Sequence, residues 1–514
     1  MASNTSVTPK ATRRDWIGLA VIALPCLLYS MDLTVMNLAI PHLSAELKPT
    51  GAQLLWIVDI YGFMIAGSLI TMGTLGDRIG RRKLLLIGAA AFGAASVLAA
   101  FSTSAEMLIA TRALLGVAGA TLAPSTLSLI RNMFLDANER TVAIGVWITS
   151  YSVGGAIGPL VGGVLLEHFW WGSVFLVSVP VMVLLLLLGP VLLPEYRDPD
   201  AGKLDLLSAA QSLAAVLSVI YGLKRIAEGG VGWMAAACIV AGLAVGRAFL
   251  KRQRTLANPL IDLDLFRVPA FSAALAINTF CFFGAFGAFL FIAQYLQLVI
   301  GLSPLEAGLW SVPSALGFVV GSMLAPVIAR RVRAGVAVTG GLALACVGFG
   351  VLTQVGGASG LATLVAGSMI FSLGLAPVVT LGTDLIVGSA PPERAGAAAA
   401  ISETSSEFGG ALGIAVLGSV VTAVYRHAME DTALSGVPAA AAEAARSTLG
   451  GAVAVAAELP GASGAALLDT SRDAYAQAFQ VTAGLSAALV LGTAILAALM
   501  LRQAKAGAPA GSAP

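Results

Sequence analysis

Four carboxylates and one arginine lie within long apolar stretches of the chain, where a charged side chain is costly unless it is paired or hydrated. These residues are Asp32, Asp59, Arg112, Glu403 and Glu407. Four acids against one arginine make such an interior net negative, which attracts cations and repels anions. Buried acids that lie close together also take up protons readily. The residues therefore predict a cavity that holds either a proton or an organic cation, so that one ligand displaces the other.

The depths of three of these residues indicate which of them could meet. At 1.5 Å per residue, Asp32 lies about 24 Å from the cytoplasmic start of its helix. Arg112 and Asp59 each lie about 8 Å below the external starts of their helices by the same measure. We therefore expect Asp32 and Arg112 to couple transport to protons and Asp59 to contribute to substrate binding. The alternatives are a permanent structural bridge between Asp32 and Arg112, and a hydrated Asp59 near the membrane surface.

Glu403 and Glu407 are four residues apart, so they share one face of a helix and are the main candidates for binding the positive charge of a substrate. The alternative is that one of them only forms a structural hydrogen bond. A further acid, Asp384, lies near the cytoplasmic end of its apolar stretch. We expect it to be solvated or tied to the nearby loop.

The elements that carry these residues are membrane helices. Of 514 residues, 58% are hydrophobic and only 11% are charged, whereas ordinary soluble proteins carry about 25% charged residues. The mean hydropathy is +0.91. The sequence therefore predicts an all-α, polytopic membrane protein whose partner is the lipid bilayer and not a nucleic acid. All four cysteines fall in apolar stretches and the three histidines are scattered, so no disulfide and no metal site is predicted.

Fourteen stretches are long and apolar enough to cross a bilayer, which takes about 20 residues. They are residues 16–41, 54–74, 84–102, 107–130, 141–166, 174–193, 205–224, 231–250, 271–299, 305–329, 335–355, 361–388, 396–424 and 476–501. Most Lys and Arg residues fall on one side of the membrane when both termini are placed in the cytoplasm. The predicted topology therefore has fourteen spans with both ends inside.

A short repeat within the sequence indicates two related halves. Residues 154–158 and 409–413 read GGAIG and GGALG, and each run follows a Glu-Arg pair, at 139–140 and 393–394. Two parallel halves with a substrate site between them are a known plan for transporters. We expect a six-helix half over 1–195, an inserted helix pair over 196–260 and a second six-helix half over 261–501. The second half includes a long external loop over 426–474 with short helices, and a disordered cytoplasmic tail follows over 502–514.

Two glycine-rich segments have spacings that a generic loop or helix does not need. The first lies over 73–83 between the second and third spans, and its main residues are Gly73, Asp77, Arg78, Gly80, Arg81 and Arg82. Its glycines allow a tight turn, its basic residues hold it on the cytoplasmic side, and Asp77 is placed to find a cationic partner. The second is a helical face made of glycines, which have no side chains and so permit close helix packing. It also contains a proline, which favours a bend. Its residues are Gly154, Gly155, Gly158, Pro159, Gly162 and Gly163.

The first segment resembles the signature loop of the major facilitator superfamily. Other segments resemble its fourteen-helix drug:proton antiporters of the QacA type. They are 31–41 with Asp32, Thr34, Asn37 and Pro41, 108–120 with Arg112, Gly116 and Gly119, 56–61, the Glu403/Glu407 pair, and the glycine run 154–163. The resemblance covers the whole chain, including the inserted helices. It implies the major facilitator fold, and the glycine run resembles a motif associated with antiport and not symport.

Together these observations predict a transporter without a cofactor, and not an enzyme. No ATP site is expected, because no nucleotide-binding GxxxxGK[ST] sequence occurs. We expect a monomeric, proton-coupled exporter of lipophilic organic cations in a bacterial inner membrane. We also expect the glycine face to form a moving joint between the halves. The first alternative is export of an endogenous metabolite or antibiotic, with incidental transport of drugs. The second is an uptake symporter or a membrane sensor that does not transport.

Overall fold

The computed structural model describes most of the chain. The described residues are 10–47, 51–197, 205–229, 232–256, 259–356, 360–391, 394–430, 442–443, 445–446, 449–459 and 461–501. The predicted disordered tail over 502–514 lies outside them. Within these ranges the regular structure is helical, and no strand occurs.

The first part of the chain forms eight helices. They are α1 (Arg13–Leu47), α2 (Gly51–Ile79), α3 (Arg81–Ala100), α4 (Ala105–Gly119), α5 (Leu122–Met133), α6 (Ala137–His168), α7 (Ser173–Leu176) and α8 (Ser178–Leu192). The pairs α4–α5 and α7–α8 are each one span with a short break. The start of α6 is fixed by Asp136, whose carboxylate accepts hydrogen bonds from the backbone N–H groups of Asn138 and Glu139.

The remainder begins with the inserted pair and continues with the second half. The helices are α9 (Leu206–Gly229), α10 (Trp233–Gln253), α11 (Pro269–Gln294), α12 (Pro304–Arg331), α13 (Ala334–Leu352), α14 (Gly360–Ser389), α15 (Ala395–Met429), α16 (Leu449–Glu458) and α17 (Gly461–Met500). A 3₁₀ turn (Leu263–Arg267) precedes α11, and a π-helical turn (Tyr295–Val299) follows it.

Thirteen helical segments in the described ranges are long and apolar enough to cross a membrane. Each of them overlaps one of the fourteen predicted spans, and thirteen predictions are matched in this way. The other prediction, 54–74, falls on α2, which has 29 residues and is therefore about 43 Å long, enough to cross.

The helices form two groups of six spans that pack in the same way. In the first half α6 packs along α1, and in the second α15 packs along α11. The halves meet where α2 contacts α15 and where α6 contacts α12. The repeated glycines occupy equivalent places in the two halves. A Cβ on Gly154 would clash with the Leu27 carbonyl oxygen of α1, and a Cβ on Gly409 would clash with the Thr279 carbonyl oxygen of α11.

The inserted pair forms a hairpin on the side of the molecule where α2 meets α15. Helix α9 contacts both α2 and α15, and α10 packs on α9. The hairpin is close-packed, because a Cβ on Gly222 would lie 2.8 Å from the Ala235 carbonyl oxygen. The hairpin thus contacts both halves.

The region predicted as an external loop over 426–474 is largely helical where the structure describes it. Helix α15 continues to Met429, α16 lies within the region, and α17 begins at Gly461. The expected start of the last helix at residue 476 is therefore wrong. The first turns of α17 carry the charged residues Asp469, Arg472 and Asp473. Because these turns are polar, they do not belong to an apolar stretch of the sequence. Arg472 anchors these turns by donating to the Leu298 carbonyl oxygen at 3.1 Å.

Candidate functional site

A cavity of about 670 Å³ lies between the halves, with walls from α1 and α6 on one side and from α11, α12, α14 and α15 on the other. Its lining is mostly apolar and strongly aromatic. The aromatic side chains are Tyr29, Trp147, Tyr151, Phe282, Phe286, Phe289, Trp310 and Phe318. Lining residues such as Gly308 and Leu364 lie near the predicted external ends of their helices. Thr383, near the other end of α14, also lines the cavity, which therefore runs through much of the membrane depth and reaches toward the predicted external side.

Glu403 and Glu407 both line this cavity, as their spacing on one helix face predicts. They are half-buried, and the hydroxyl of Tyr29 donates to Glu407 Oε1 at 3.4 Å. Other residues of α15, such as Thr404 and Phe408, lie on a different face of the helix, away from the cavity. The two acids thus place carboxyl groups on a mostly apolar wall, where an organic cation would find both a counter-charge and aromatic faces.

Asp32 and Arg112 form the ion pair that their depths predict, with Arg112 Nη1 2.9 Å from Asp32 Oδ2. The Arg112 guanidinium is buried, its Nε donates to the Ile57 carbonyl oxygen at 2.9 Å, and it lies 4.9 Å from the ring centre of Tyr61. Neither partner lines the cavity. The side chain of Asp59, the third residue expected at this depth, lies outside the described part of the chain.

Two tyrosines connect the ion pair to the cavity. Tyr61 contacts the Arg112 guanidinium, its ring centre lies 6.1 Å from that of Tyr29, and Tyr29 contacts Glu407. Neither tyrosine was predicted to have this role, although Tyr61 ends the segment 56–61. The available signal was position, because Tyr29 precedes Asp32 by three residues and so lies on the same side of α1.

A buried ion pair joins the halves at the predicted cytoplasmic end. Arg140 of α6 lies 2.8 Å from Asp384 of α14, and the Thr141 hydroxyl donates to the same carboxylate at 3.0 Å. Both charged side chains are almost completely inaccessible. The expectation of a solvated or loop-bound Asp384 is therefore wrong. The pairing could not be predicted because Arg140 is 244 residues away from Asp384 in sequence.

The segment over 73–83, predicted as a loop, consists of the end of α2, Gly80 and the start of α3, and it closes the same end. Asp77 forms a buried ion pair with Arg81, and its carboxylate also accepts a hydrogen bond from the backbone N–H of Ala397 at the start of α15. Gly80 has φ +111°, a left-handed conformation that favours glycine, and a Cβ there would meet the Glu195 carboxylate. Glu195, which was not predicted to contribute, accepts hydrogen bonds from the backbone N–H groups of Arg82 and Lys83. The segment over 73–83 thus joins the first half to α15.

The glycine face of α6 lies against α1, within the same half. A Cβ on Gly154 would clash with α1 backbone, one on Gly162 would lie 2.9 Å from Val35, and one on Gly155 would lie 3.2 Å from Ser30. Gly163 has no neighbour within 4 Å of such a Cβ, Gly158 is buried, and the Pro159 side chain is outside the described part. The expected joint between the halves is therefore wrong for Gly154 and Gly162, because their closest neighbours belong to α1.

Comparisons with known proteins agree with this architecture. The sequence profile of the Major Facilitator Superfamily matches residues 22–414. The chain is 43% identical to the multidrug efflux pump LfrA of Mycolicibacterium smegmatis, over 96% of this chain and 99% of the relative. It is 35% identical to the methyl viologen resistance protein SmvA of Salmonella typhimurium, over 94% and 97%.

Among solved structures, the human organic anion transporter MFSD10 has a similar fold. The TM-score is 0.59 at 15% identity, over 93% of this chain and 99% of that chain. The profile covers about three quarters of the chain, the relative LfrA covers nearly all of it, and thirteen helices in the described ranges are long and apolar enough to cross a membrane. The chain thus belongs to the Major Facilitator Superfamily and is a multi-pass membrane transporter, not an enzyme.

Proposed function

We propose that this transporter is a proton-coupled antiporter that exports lipophilic organic cations across a bacterial cell membrane, with both termini in the cytoplasm. The relatives support drug export, since one is named for multidrug efflux and another for resistance to methyl viologen, an organic dication. The observation that carries the proposal is the pair Glu403 and Glu407 on the wall of an aromatic, largely apolar cavity. Such a site favours a flat hydrophobic cation over an anion.

The proton would act at a second place, the Asp32–Arg112 ion pair. Protonation of Asp32 would remove the counter-charge of Arg112, whose guanidinium lies against Tyr61. A shift of this ring would reach Tyr29 and its hydrogen bond to Glu407. Proton binding and cation binding would then oppose one another through two packed tyrosines, without sharing one carboxylate.

The closed end of the molecule supports an assignment of the conformation. Arg140 pairs with Asp384 across the halves, and Asp77 reaches the start of α15, on the side predicted to face the cytoplasm. The cavity reaches toward the other side, where Gly308 and Leu364 line it. We assign this arrangement to the outward-facing state, in which a proton from outside neutralises Asp32 and the cation leaves the glutamates.

Ligand binding by the purified protein tests the cation site. We expect ethidium to bind to the wild type, and to bind at least about tenfold more weakly to Glu403→Gln/Glu407→Gln, a loss of about 1.4 kcal/mol. Each single variant should lose less, because the other acid remains. Glu407→Gln should be the worse of the two, since Glu407 lies deeper in its helix and contacts Tyr29.

The control is Glu167→Gln, which removes an exposed acid at the end of α6 that does not line the cavity. It should bind ethidium like the wild type. A fluorescent organic anion of similar size should bind poorly to all of these proteins. Undiminished ethidium affinity in the double variant, or equal affinity for the anion, would remove the two glutamates from the proposed site.

A further inference from the structure

A second large recess lies on the outside of the transporter, between the inserted hairpin and the two halves. It is a groove of about 810 Å³ with α9 and α10 on one side and α2 and α15 on the other. Its walls are apolar and include Ile70, Val216, Leu243, Ile401 and Phe408. The volume is typical of a ligand pocket, which spans about 300–1,000 Å³. The groove is separate from the central cavity, with which it shares no lining residue.

One end of the groove is basic. Arg247, Lys251 and Arg254 line it, and their spacing of four and three residues places them on one face of the last turns of α10. All three side chains are exposed, and none forms an ion pair with a residue in the described ranges. The apolar groove therefore ends in three positive charges.

The neighbouring acid does not cancel these charges, because it is already occupied. Asp205, just before α9, lies 2.7 Å from Arg252, which is on α10 but does not line the groove. Hydrogen bonds from Arg252 and Ser208 lower the pKa of Asp205 to about 2, so the carboxylate stays charged and paired at neutral pH. This contact also ties the base of the hairpin together.

The combination of an apolar groove and a basic end selects one class of ligand. The three cations repel the organic cations that the central cavity suits, and a free phosphate would leave the apolar walls exposed. An acyl chain fills such walls, and basic pockets between membrane helices on the cytoplasmic side bind anionic lipid headgroups. We propose that the groove binds an anionic glycerophospholipid of the cytoplasmic leaflet, with its phosphate against Arg247, Lys251 and Arg254 and an acyl chain between the hairpin and α15.

A polar group inside the groove fits the glycerol region of this ligand. The hydroxyl of Thr404 is buried, lines the groove and has no hydrogen-bond partner in the described part of the chain. It can donate to an ester carbonyl oxygen of the lipid. Thr404 lies next to Glu403 on α15 but on a different face, so a bound lipid would support the helix that carries the two cavity glutamates.

Basic residues at a helix end have an ordinary explanation, which the experiment must exclude. Arginines there suit the helix dipole and hold the cytoplasmic side of a membrane protein. Helix α12 provides a matched case, because it ends with Arg330 and Arg331 and is followed by Arg333. These three residues are also exposed, but no groove adjoins them among the described cavities.

Native mass spectrometry of the purified full chain tests the proposal, with dioleoyl phosphatidylglycerol and dioleoyl phosphatidylcholine as probes. We expect the wild type to retain the anionic lipid preferentially. Each basic residue near an anionic lipid contributes about fivefold in affinity. Arg247→Gln/Lys251→Gln/Arg254→Gln should therefore retain the anionic lipid at least about tenfold more weakly. Arg330→Gln/Arg331→Gln/Arg333→Gln should behave like the wild type.

A groove-filling variant tests the acyl chain separately. Gly246 lines the groove, and a Cβ there would meet only Ala215, at an ordinary 3.7 Å. Gly246→Phe should displace the lipid while all the charges remain. If Arg247→Gln/Lys251→Gln/Arg254→Gln is not monodisperse, Gly246→Phe alone tests whether the lipid occupies the groove. Equal losses in both triple variants, equal retention of phosphatidylcholine, displacement by soluble glycerol phosphate, or occupation of the groove by a second copy of the chain would each overturn the proposal.

Discussion

The ionisable residues in the interior fall into two groups with different surroundings. Asp32 is held by the buried guanidinium of Arg112, whereas Glu403 and Glu407 face an aromatic cavity that is large enough for a drug-sized ligand. A carboxylate beside a fixed cation is a poor site for a second cation, because the arginine already neutralises it. We therefore assign proton coupling to Asp32 and recognition of the cation to the glutamates.

Asp32→Asn should abolish transport driven by a pH gradient while leaving ethidium binding largely intact. The variant removes the proton site, but Arg112 keeps its contacts with the Ile57 carbonyl oxygen and with the Tyr61 ring. Asp32→Glu retains a carboxylate and should restore part of the activity. Dye transport in proteoliposomes with and without a pH gradient measures the difference. Normal gradient-driven transport by Asp32→Asn would move the coupling site elsewhere, most directly to Glu407.

Tyr29→Phe tests the connection between the two groups of residues. The variant keeps the ring that packs on Tyr61 and Tyr151, but it removes the hydroxyl that donates to Glu407. We expect ethidium to bind within a fewfold of the wild-type affinity, and the dependence of this affinity on pH to become shallower. Titrations of ethidium binding between pH 5.5 and 8.5 measure the slope. An unchanged slope with unchanged affinity would show that the hydroxyl does not link the sites.

At the scale of helices, glycine sets how closely α6 can approach α1. Gly154 leaves no room for a Cβ, whereas Gly163, on the same helix, has no neighbour at that position. The same arrangement recurs where Gly409 and Gly413 of α15 meet the backbone of α11. The two runs thus perform the same packing task in the two halves, which explains their similar sequences.

Gly154→Leu should lower the thermal stability of the purified protein, because overpacking costs about 1–3 kcal/mol in cores that adjust and more where backbone must move. Gly163→Leu is the matched control and should unfold like the wild type. Thermal unfolding in detergent, monitored with a thiol-independent fluorescence assay, compares the two. If both variants were equally stable, close packing of α6 on α1 would not be required for the fold.

The sequence predicted the helices and the depth of the charged residues because both follow from position along one helix. The 1.5 Å rise was enough to place Asp32 beside Arg112, and a spacing of four was enough to place Glu403 and Glu407 on one face. The partners of Asp384 and Glu407 could not be predicted in this way. Arg140 and Tyr29 are on other helices, and only the packing of the helices brings them within reach.

At the scale of the whole molecule, the Arg140–Asp384 pair closes the end of the transporter that we assign to the cytoplasm. Loss of one partner leaves an uncompensated buried charge, which costs about 3–5 kcal/mol. Asp384→Asn should therefore shift the protein toward states in which this end is open. Spin labels at the exposed positions Asn138 of α6 and Arg331 of α12 would report the change as a longer distance between the halves.

Asp205→Asn provides the control for this shift, because it breaks an ion pair of similar length that lies within the inserted hairpin and does not cross the halves. The distance distribution of this control should match that of the wild type. The charge-swapped variant Arg140→Asp/Asp384→Arg should return part of the population to the short distance. An unchanged distribution in Asp384→Asn would mean that the ion pair does not hold the halves together.

Transport by the purified protein in proteoliposomes tests the central claim, cation export in exchange for protons, most directly. The measurement compares ethidium accumulation with an acid interior, with no gradient, and with an acid interior after addition of a protonophore. We predict rapid accumulation only in the first case, together with a rise in internal pH that is absent from protein-free and Asp32→Asn vesicles. Accumulation that is equal with and without the gradient, or that is driven by an acid exterior, would contradict proton-coupled antiport.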